Sequence, residues 1–171
     1  GLGFLFGMAE SGLFCPLCMT DGAARVLEHA GGFDADVKAL CFTDTAKRCT
    51  GAMFLTEKQG GSDVGSCSTR AVKGSNGWRL HGAKWFCSNV DAERVLALAR
   101  PEGAAPGTRG LGLFLIRSEE PDRLATVRIH RIKEKLGVRS MPTGEVELLG
   151  ARAELVGPVD HTVPVMTVTR P

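Results

Sequence analysis

The chain has 171 residues, enough for one domain with its own core or for a domain plus an appendage. A hydrophobic share of 43% against 23% charged residues is a globular balance, which excludes a disordered chain. The net charge of +2 is too small to argue for nucleic-acid binding by electrostatic footprint, and no stretch approaches the roughly 18 apolar residues that span a bilayer.

The opening segment is apolar but has neither a charged leading region nor a small-residue cleavage site, so it does not read as a signal peptide. It starts without Met, which points to a fragment. Apolar residues then recur at helical spacing through Phe4, Leu5 and Met8, and again through Met19, Ala23, Val26 and Leu27. Thr20 and Asp21 are expected to cap the second of these helices, and Gly31-Gly32 to end it. A weaker helical pattern follows at Val37, Leu40 and Cys41. The cysteines Cys15, Cys18, Cys41, Cys49, Cys67 and Cys87 show no framework of short loops, so they read as reduced, structural thiols. Cys15 and Cys18 form a CxxC, but no second CxxC or His pair follows at zinc spacing. The histidines His29, His81, His130 and His161 are likewise scattered.

Beyond Cys49 the texture is that of strands. Gly51 to Thr56 is a short apolar strand ending in a polar turn, and Ser68 to Lys73 alternates. Gly74 to Gly77 is a turn, Trp78 to His81 alternates again, and Gly82 to Ser88 follows. Residues 95–99 and 112–116 are buried-type strands on either side of a Pro/Gly-rich loop at 101–110. Residues 126–133 alternate apolar with basic side chains, and 145–149 complete the series. Short strands with a turn every ten residues or so predict a mainly β fold, an antiparallel β-barrel preceded by short α-helices.

Two segments carry chemistry. In Leu55 to Val64 a strand runs into a turn holding Gly60, Gly61, Ser62 and Asp63. Adjacent glycines let the backbone approach a ligand closely, successive N–H groups can nest an anion, and the Ser62 hydroxyl suits a phosphate or carbonyl oxygen. The spacing is neither a Walker A nor a GxGxxG motif, and taken alone it is only a turn. In Gly82 to Asn89 two aromatics sit beside small polar side chains, a set able to stack on a flat ring and bond its edge.

Together these segments resemble the acyl-CoA dehydrogenase family. Its middle domain carries Thr-Glu-x-x-x-Gly-Ser-Asp, matched by Thr56-Glu57 with Gly61-Ser62-Asp63. It then carries Gly-x-Lys-x-(Trp/Phe)-x-(Thr/Ser)-Asn, matched by Gly82, Lys84, Phe86, Ser88 and Asn89. A third match is Lys135-Leu136-Gly137 with Arg139 and Thr143, leading into the last strand. The Glu57 to Asp63 wording and the Cys15 to Thr20 run are most similar to the alkylation-response branch.

The resemblance implies FAD as cofactor and an acyl-CoA as substrate. Met53, Leu55 and Thr56 would lie against the flavin, with the Thr56 hydroxyl on its pyrimidine edge. Gly61 and Ser62 would meet the pyrophosphate, and Ser62 would also border the acyl-CoA. Phe86 would stack near the isoalloxazine, Cys87 would lie beside it, and Ser88 would hydrogen-bond near N5. The full enzyme would oxidise the Cα–Cβ bond of an acyl thioester and pass electrons to an electron-transfer flavoprotein. It would do so as a homotetramer in the cytoplasm or the mitochondrial matrix.

The same resemblance divides the chain into a remnant of an N-terminal helical domain (1–48), the barrel (49–157), and a linker with the start of a C-terminal helical domain (158–171). No residue is assigned as the base that takes the α-proton. Glu57 and Asp63 read as structural acceptors, so the chain alone is expected to be inactive. Competing readings are a non-catalytic truncated paralogue, an alkylation-response flavoprotein that acts with nucleic acid, and an oxygen-using acyl-CoA oxidase. The basic stretch from Arg128 to Lys135 reads as a solvated strand face rather than a phosphate-binding surface. Trp78 and Trp85 read as barrel packing.

Overall fold

A computed structural model describes residues 1–42, 46 and 48–159. The chain begins with helices α1 (Leu2–Ala9), α2 (Ser11–Ala30) and α3 (Asp34–Leu40). Helix α2 starts nine residues before the expected cap at Thr20. Its first turn is held instead by the Glu10 side chain, which accepts from the Gly12 N–H at 2.8 Å. Pro16 sits inside the helix without breaking it. The Thr20 hydroxyl donates to the Pro16 carbonyl at 2.7 Å and accepts from the Gly51 N–H at 3.0 Å. A residue chosen as a cap from its type is therefore a buried clasp between helix and barrel, because its tertiary partner lies 31 residues away. The helix ends at Gly31 as expected.

The strands are β1 (Gly51–Phe54), β2 (Arg70–Gly74), β3 (Gly77–Ser88), β4 (Arg94–Pro101) and β5 (Gly112–Arg117), followed by the short helix α4 (Arg123–Thr126) and strands β6 (Val127–Ile132) and β7 (Thr143–Val156). Strands β4, β2, β3, β7 and β5 hydrogen-bond in that order and β5 pairs back onto β4, closing the expected barrel. Its pairings are antiparallel except that β1 and β2 both run parallel to β4. Strand β6 pairs with β7.

Two segments expected as separate strands, 78–81 and 82–88, form the single strand β3. Strand β7 continues well past 149. The cause of both differences is a bulge. Leu80 pairs with Ala151 and His81 with Leu149, so Gly150 is the extra residue, and its φ of +87° suits glycine.

Strands β4 and β5 are apolar on both faces because both faces are buried. Phe54, Leu80, Val95, Phe114 and Leu148 fill the barrel interior. Leu27, Leu40, Leu96, Leu98 and Leu113 form a second cluster between helices and barrel. Trp78 joins the interior and meets Phe114 edge-on at 5.4 Å, as expected. The tail from 160 onward, including His161, lies outside the described residues.

Candidate functional site

Strand β1 delivers its side chains alternately to two places. Ala52 and Phe54 enter the barrel, whereas Met53 and Leu55 pack half-buried against the cluster on the helix side. The chain then turns at Thr56. The Thr56 carbonyl accepts from the Trp85 N–H at 2.9 Å, which joins the two segments singled out in the sequence. Gly60 has φ +126°, and a Cβ on Gly61 would stand 2.8 Å from the Thr56 hydroxyl oxygen. The turn therefore needs glycine first for conformation and then for room. Ser62 and Asp63 are exposed on this turn.

The turn is anchored from below by Glu57, which is 2% exposed. One carboxylate oxygen accepts from Lys84 Nζ at 2.7 Å, Thr69 Oγ1 at 2.6 Å, the Thr69 N–H at 3.1 Å and the Cys67 thiol at 3.0 Å. The other accepts from Ser68 Oγ at 2.6 Å, the Ser68 N–H at 2.8 Å and Gln59 Nε2 at 2.8 Å. Burial alone would push this carboxyl up. The Lys84 ammonium and the hydroxyls of Ser68 and Thr69 overcome it and hold the carboxyl far below the usual range. Glu57 is thus the structural acceptor expected from the sequence.

A second bulge in β3 shapes the neighbouring surface. Lys84 pairs with Val146 and Cys87 with Gly144, so the intervening residues on β3 outnumber those on β7. Lys84 and Cys87 are buried, while Trp85 is half-buried and Phe86 is 53% exposed. The two rings meet edge-on at 6.5 Å. Lys133 Nζ lies 3.5 Å from the centre of the Trp85 ring and 4.7 Å from that of Phe86, and donates to Glu145 at 2.8 Å. Trp85 therefore belongs to the outer surface rather than to the barrel packing expected of it. Strict alternation would have sent one of two adjacent aromatics inward, and the bulge is what turns both out.

The remaining candidates divide by face. The Cys87 side chain is fully buried in the barrel, where burial pushes its thiol up to about 12. Ser88 Oγ is 3.0 Å from Thr143 Oγ1. Lys135 Nζ donates to Thr143 Oγ1 and to the Met141 carbonyl, each at 2.7 Å. The structure thus joins Thr56 and Gly61 to Trp85, sets Phe86 beside Trp85 and Lys133, and, two residues further along β3, links Ser88 to Thr143 and Lys135. Lys84, Lys135 and Thr143 stand in the quoted motifs, but no periodicity in the sequence assigns them partners.

This arrangement offers a flat apolar ring surface, edge hydroxyls, and a glycine turn with Lys58 nearby, 5.7 Å from the Trp85 ring. It suits a planar heteroaromatic ligand with an attached anionic group. Strand β6 is less suited to a phosphate backbone. Its Arg131 reaches Glu145 at 2.6 Å and its His130 reaches Glu147 at 3.0 Å, so acidic partners on β7 offset the basic side chains.

Residues 52–150 match the family model described as "Acyl-CoA dehydrogenase, middle domain". Acyl-CoA dehydrogenase family member 11 of Caenorhabditis elegans is 42% identical over 168 residues, which cover 90% of this chain and 27% of that protein. The broad-specificity linear acyl-CoA dehydrogenase FadE5 of Mycobacterium tuberculosis is 34% identical over 160 residues, 83% of this chain and 26% of that protein. Among solved structures, Caenorhabditis elegans ACDH-11 in complex with C11-CoA superposes with a TM-score of 0.82 at 39% identity, covering 91% of this chain and 28% of its own. The chain thus spans about a quarter of the length of these relatives. No helix among the described residues is long and apolar enough to cross a membrane.

Proposed function

The chain belongs to the acyl-CoA dehydrogenase family, and from that premise we propose that it supplies the barrel wall of a site for FAD and an acyl-CoA. The observation that carries this reading is the β3 bulge. It sets Trp85 and Phe86 outward, with the Trp85 N–H bonded to the Thr56 carbonyl of the glycine turn and Ser88 two residues past Phe86 on the same strand.

The residues present fit the group. Phe86 offers an exposed ring to one face of an isoalloxazine, and Thr56 and Ser88 offer hydroxyls to its edge. The open side of Gly61 and the Ser62 hydroxyl suit the pyrophosphate, and Ser62 also borders the thioester. Met53 and Leu55, half-buried on the helix side, would lie against the flavin, and Cys87 would lie beside it with its side chain buried in the barrel. When bound, FAD supplies the hydride acceptor for oxidation of the thioester Cα–Cβ bond.

The chain's own residues bind, orient and tune. A hydroxyl donor at the edge stabilises negative charge that develops there. Glu57 takes no part in proton abstraction, since hydrogen bonds and an ion pair occupy both of its oxygens. The α-proton is therefore taken by a group outside this face, and the chain alone is inactive. The family resemblance extends the proposal to an electron-transfer flavoprotein as acceptor and a homotetramer as the full-length assembly, in the cytoplasm or mitochondrial matrix.

Titration of the purified chain with FAD tests the reading. Quenching of flavin fluorescence is expected, and Phe86→Ala or Ser88→Ala should weaken it. Unchanged retention in both variants would overturn the assignment. Anaerobic addition of an acyl-CoA should leave the flavin colour of the chain alone unbleached.

A further inference from the structure

Three groups form a part-buried chain where β3 pairs with β7: Lys135 Nζ, Thr143 Oγ1 and Ser88 Oγ, at successive separations of 2.7 and 3.0 Å. Their hydrogens can be counted. An ammonium has three donors and no acceptor, so the Thr143 oxygen must accept from Lys135. Thr143 is 2% exposed, which leaves its single hydroxyl hydrogen no water to serve. Among the described residues, Ser88 Oγ is the acceptor within its reach. Ser88 then receives a hydrogen from Thr143, and its own hydrogen is left to point away from the barrel.

We propose that Lys135 is a positioning residue which, through Thr143, sets the polarity of the Ser88 hydroxyl so that it is a donor toward the bound ligand. The inference rests on the placement of Ser88 beside the flavin edge proposed above. Lys135 Nζ fills one of the two lone pairs of the Thr143 oxygen and its charge repels a second hydrogen there; without the ammonium both lone pairs are open, Ser88 competes as the donor, and the outward donor is weakened. The positive charge also strengthens the two hydrogen bonds that follow it, because chained bonds polarise one another. The loop that carries Lys135 is itself held in register, since Ser140 Oγ donates to Glu10 at 3.0 Å and the Lys133 N–H donates to the Thr143 carbonyl at 2.8 Å.

The test uses the full chain titrated with FAD, reading the dissociation constant and the flavin absorption spectrum. Ser88→Ala is expected to shift the spectrum and weaken binding about three- to tenfold, the size of one hydrogen bond. Thr143→Val and Lys135→Met should reproduce the direction of both changes. Thr143→Ser and Lys135→Arg should restore the original spectrum, which a purely structural role would not require. If Ser88→Ala alters the flavin while Thr143→Val and Lys135→Met do not, the relay is wrong and the site assignment stands. If Ser88→Ala is silent, the placement of Ser88 beside the flavin edge falls and the relay with it, while Phe86→Ala still tests the rest of the site. A neutron structure of the deuterium-exchanged chain gives an independent answer without ligand. The Thr143 deuteron should point at Ser88, and the reverse orientation would overturn the proposal.

Discussion

Glu57 and Lys84 meet at 2.7 Å with 2% and 1% of their surfaces exposed, one at the foot of the glycine turn and the other at the start of the β3 bulge. This buried ion pair ties together the two segments that carry the candidate site. Its strength depends on completeness: both oxygens of Glu57 are occupied by further donors. A buried charge that loses its partner costs far more than the pair contributes net.

Lys84→Met should therefore destabilise the chain by about 3–5 kcal/mol, since it strands a buried carboxylate. Adding Glu57→Gln should recover part of that loss, because it removes the stranded charge while the amide oxygen can still accept from one of the two neighbours, Ser68 or Thr69. Urea denaturation of the two variants reads the difference. A double variant less stable than Lys84→Met alone would refute the pair as the anchor.

Asp36 on α3 predicts the acid limb of stability. It accepts from Arg94 Nε at 2.5 Å and from Arg117 Nη2 at 2.7 Å, joining the helices to β4 and β5. Burial pushes its carboxyl up, but the two guanidinium groups outweigh burial and hold it below the ordinary 3.8. Glu57 is held low in the same sense. A depressed carboxyl contributes stability that is present above its unfolded pKa and lost as pH falls through the folded one. Melting temperature should thus drop below about pH 4. Asp36→Asn should be less stable at neutral pH and show a shallower decline between about pH 4 and pH 2.

Gly61→Ala tests the close approach of the turn. The new methyl would stand 2.8 Å from the Thr56 hydroxyl oxygen. Overpacking of this kind costs roughly 1–3 kcal/mol when the neighbour cannot yield. Because Thr56 is a candidate edge hydroxyl, FAD affinity should fall along with thermal stability. A variant with wild-type values of both would show that the turn has slack.

The thiols should separate by burial. Cys18 and Cys41 are exposed, while Cys49, Cys67 and Cys87 are buried. Burial raises the last three, Cys87 to about 12, so little thiolate forms near neutral pH. An aromatic disulfide reagent should label Cys18 and Cys41 rapidly in the native chain and reach the buried three only on unfolding.

What the residues reveal and what they hide follow from range. The barrel, the helices before it and the two candidate site segments were legible, because apolar alternation and glycine punctuation are local signals. The same rule misled at Thr20 and at Trp85. In each case a partner remote in sequence outvoted the neighbour: Gly51 for Thr20, and the shifted β7 register for Trp85.

The motifs that carry Lys84, Thr143 and Lys135 could be quoted from the sequence, but not the company those side chains keep. The linear order of residues determined that there would be a glycine turn, an aromatic pair and hydroxyls at set intervals. Only strand register decided that they share one surface. A single inserted residue in an antiparallel pair reverses which side every later group occupies, and that insertion is defined by the partner strand rather than by the strand itself.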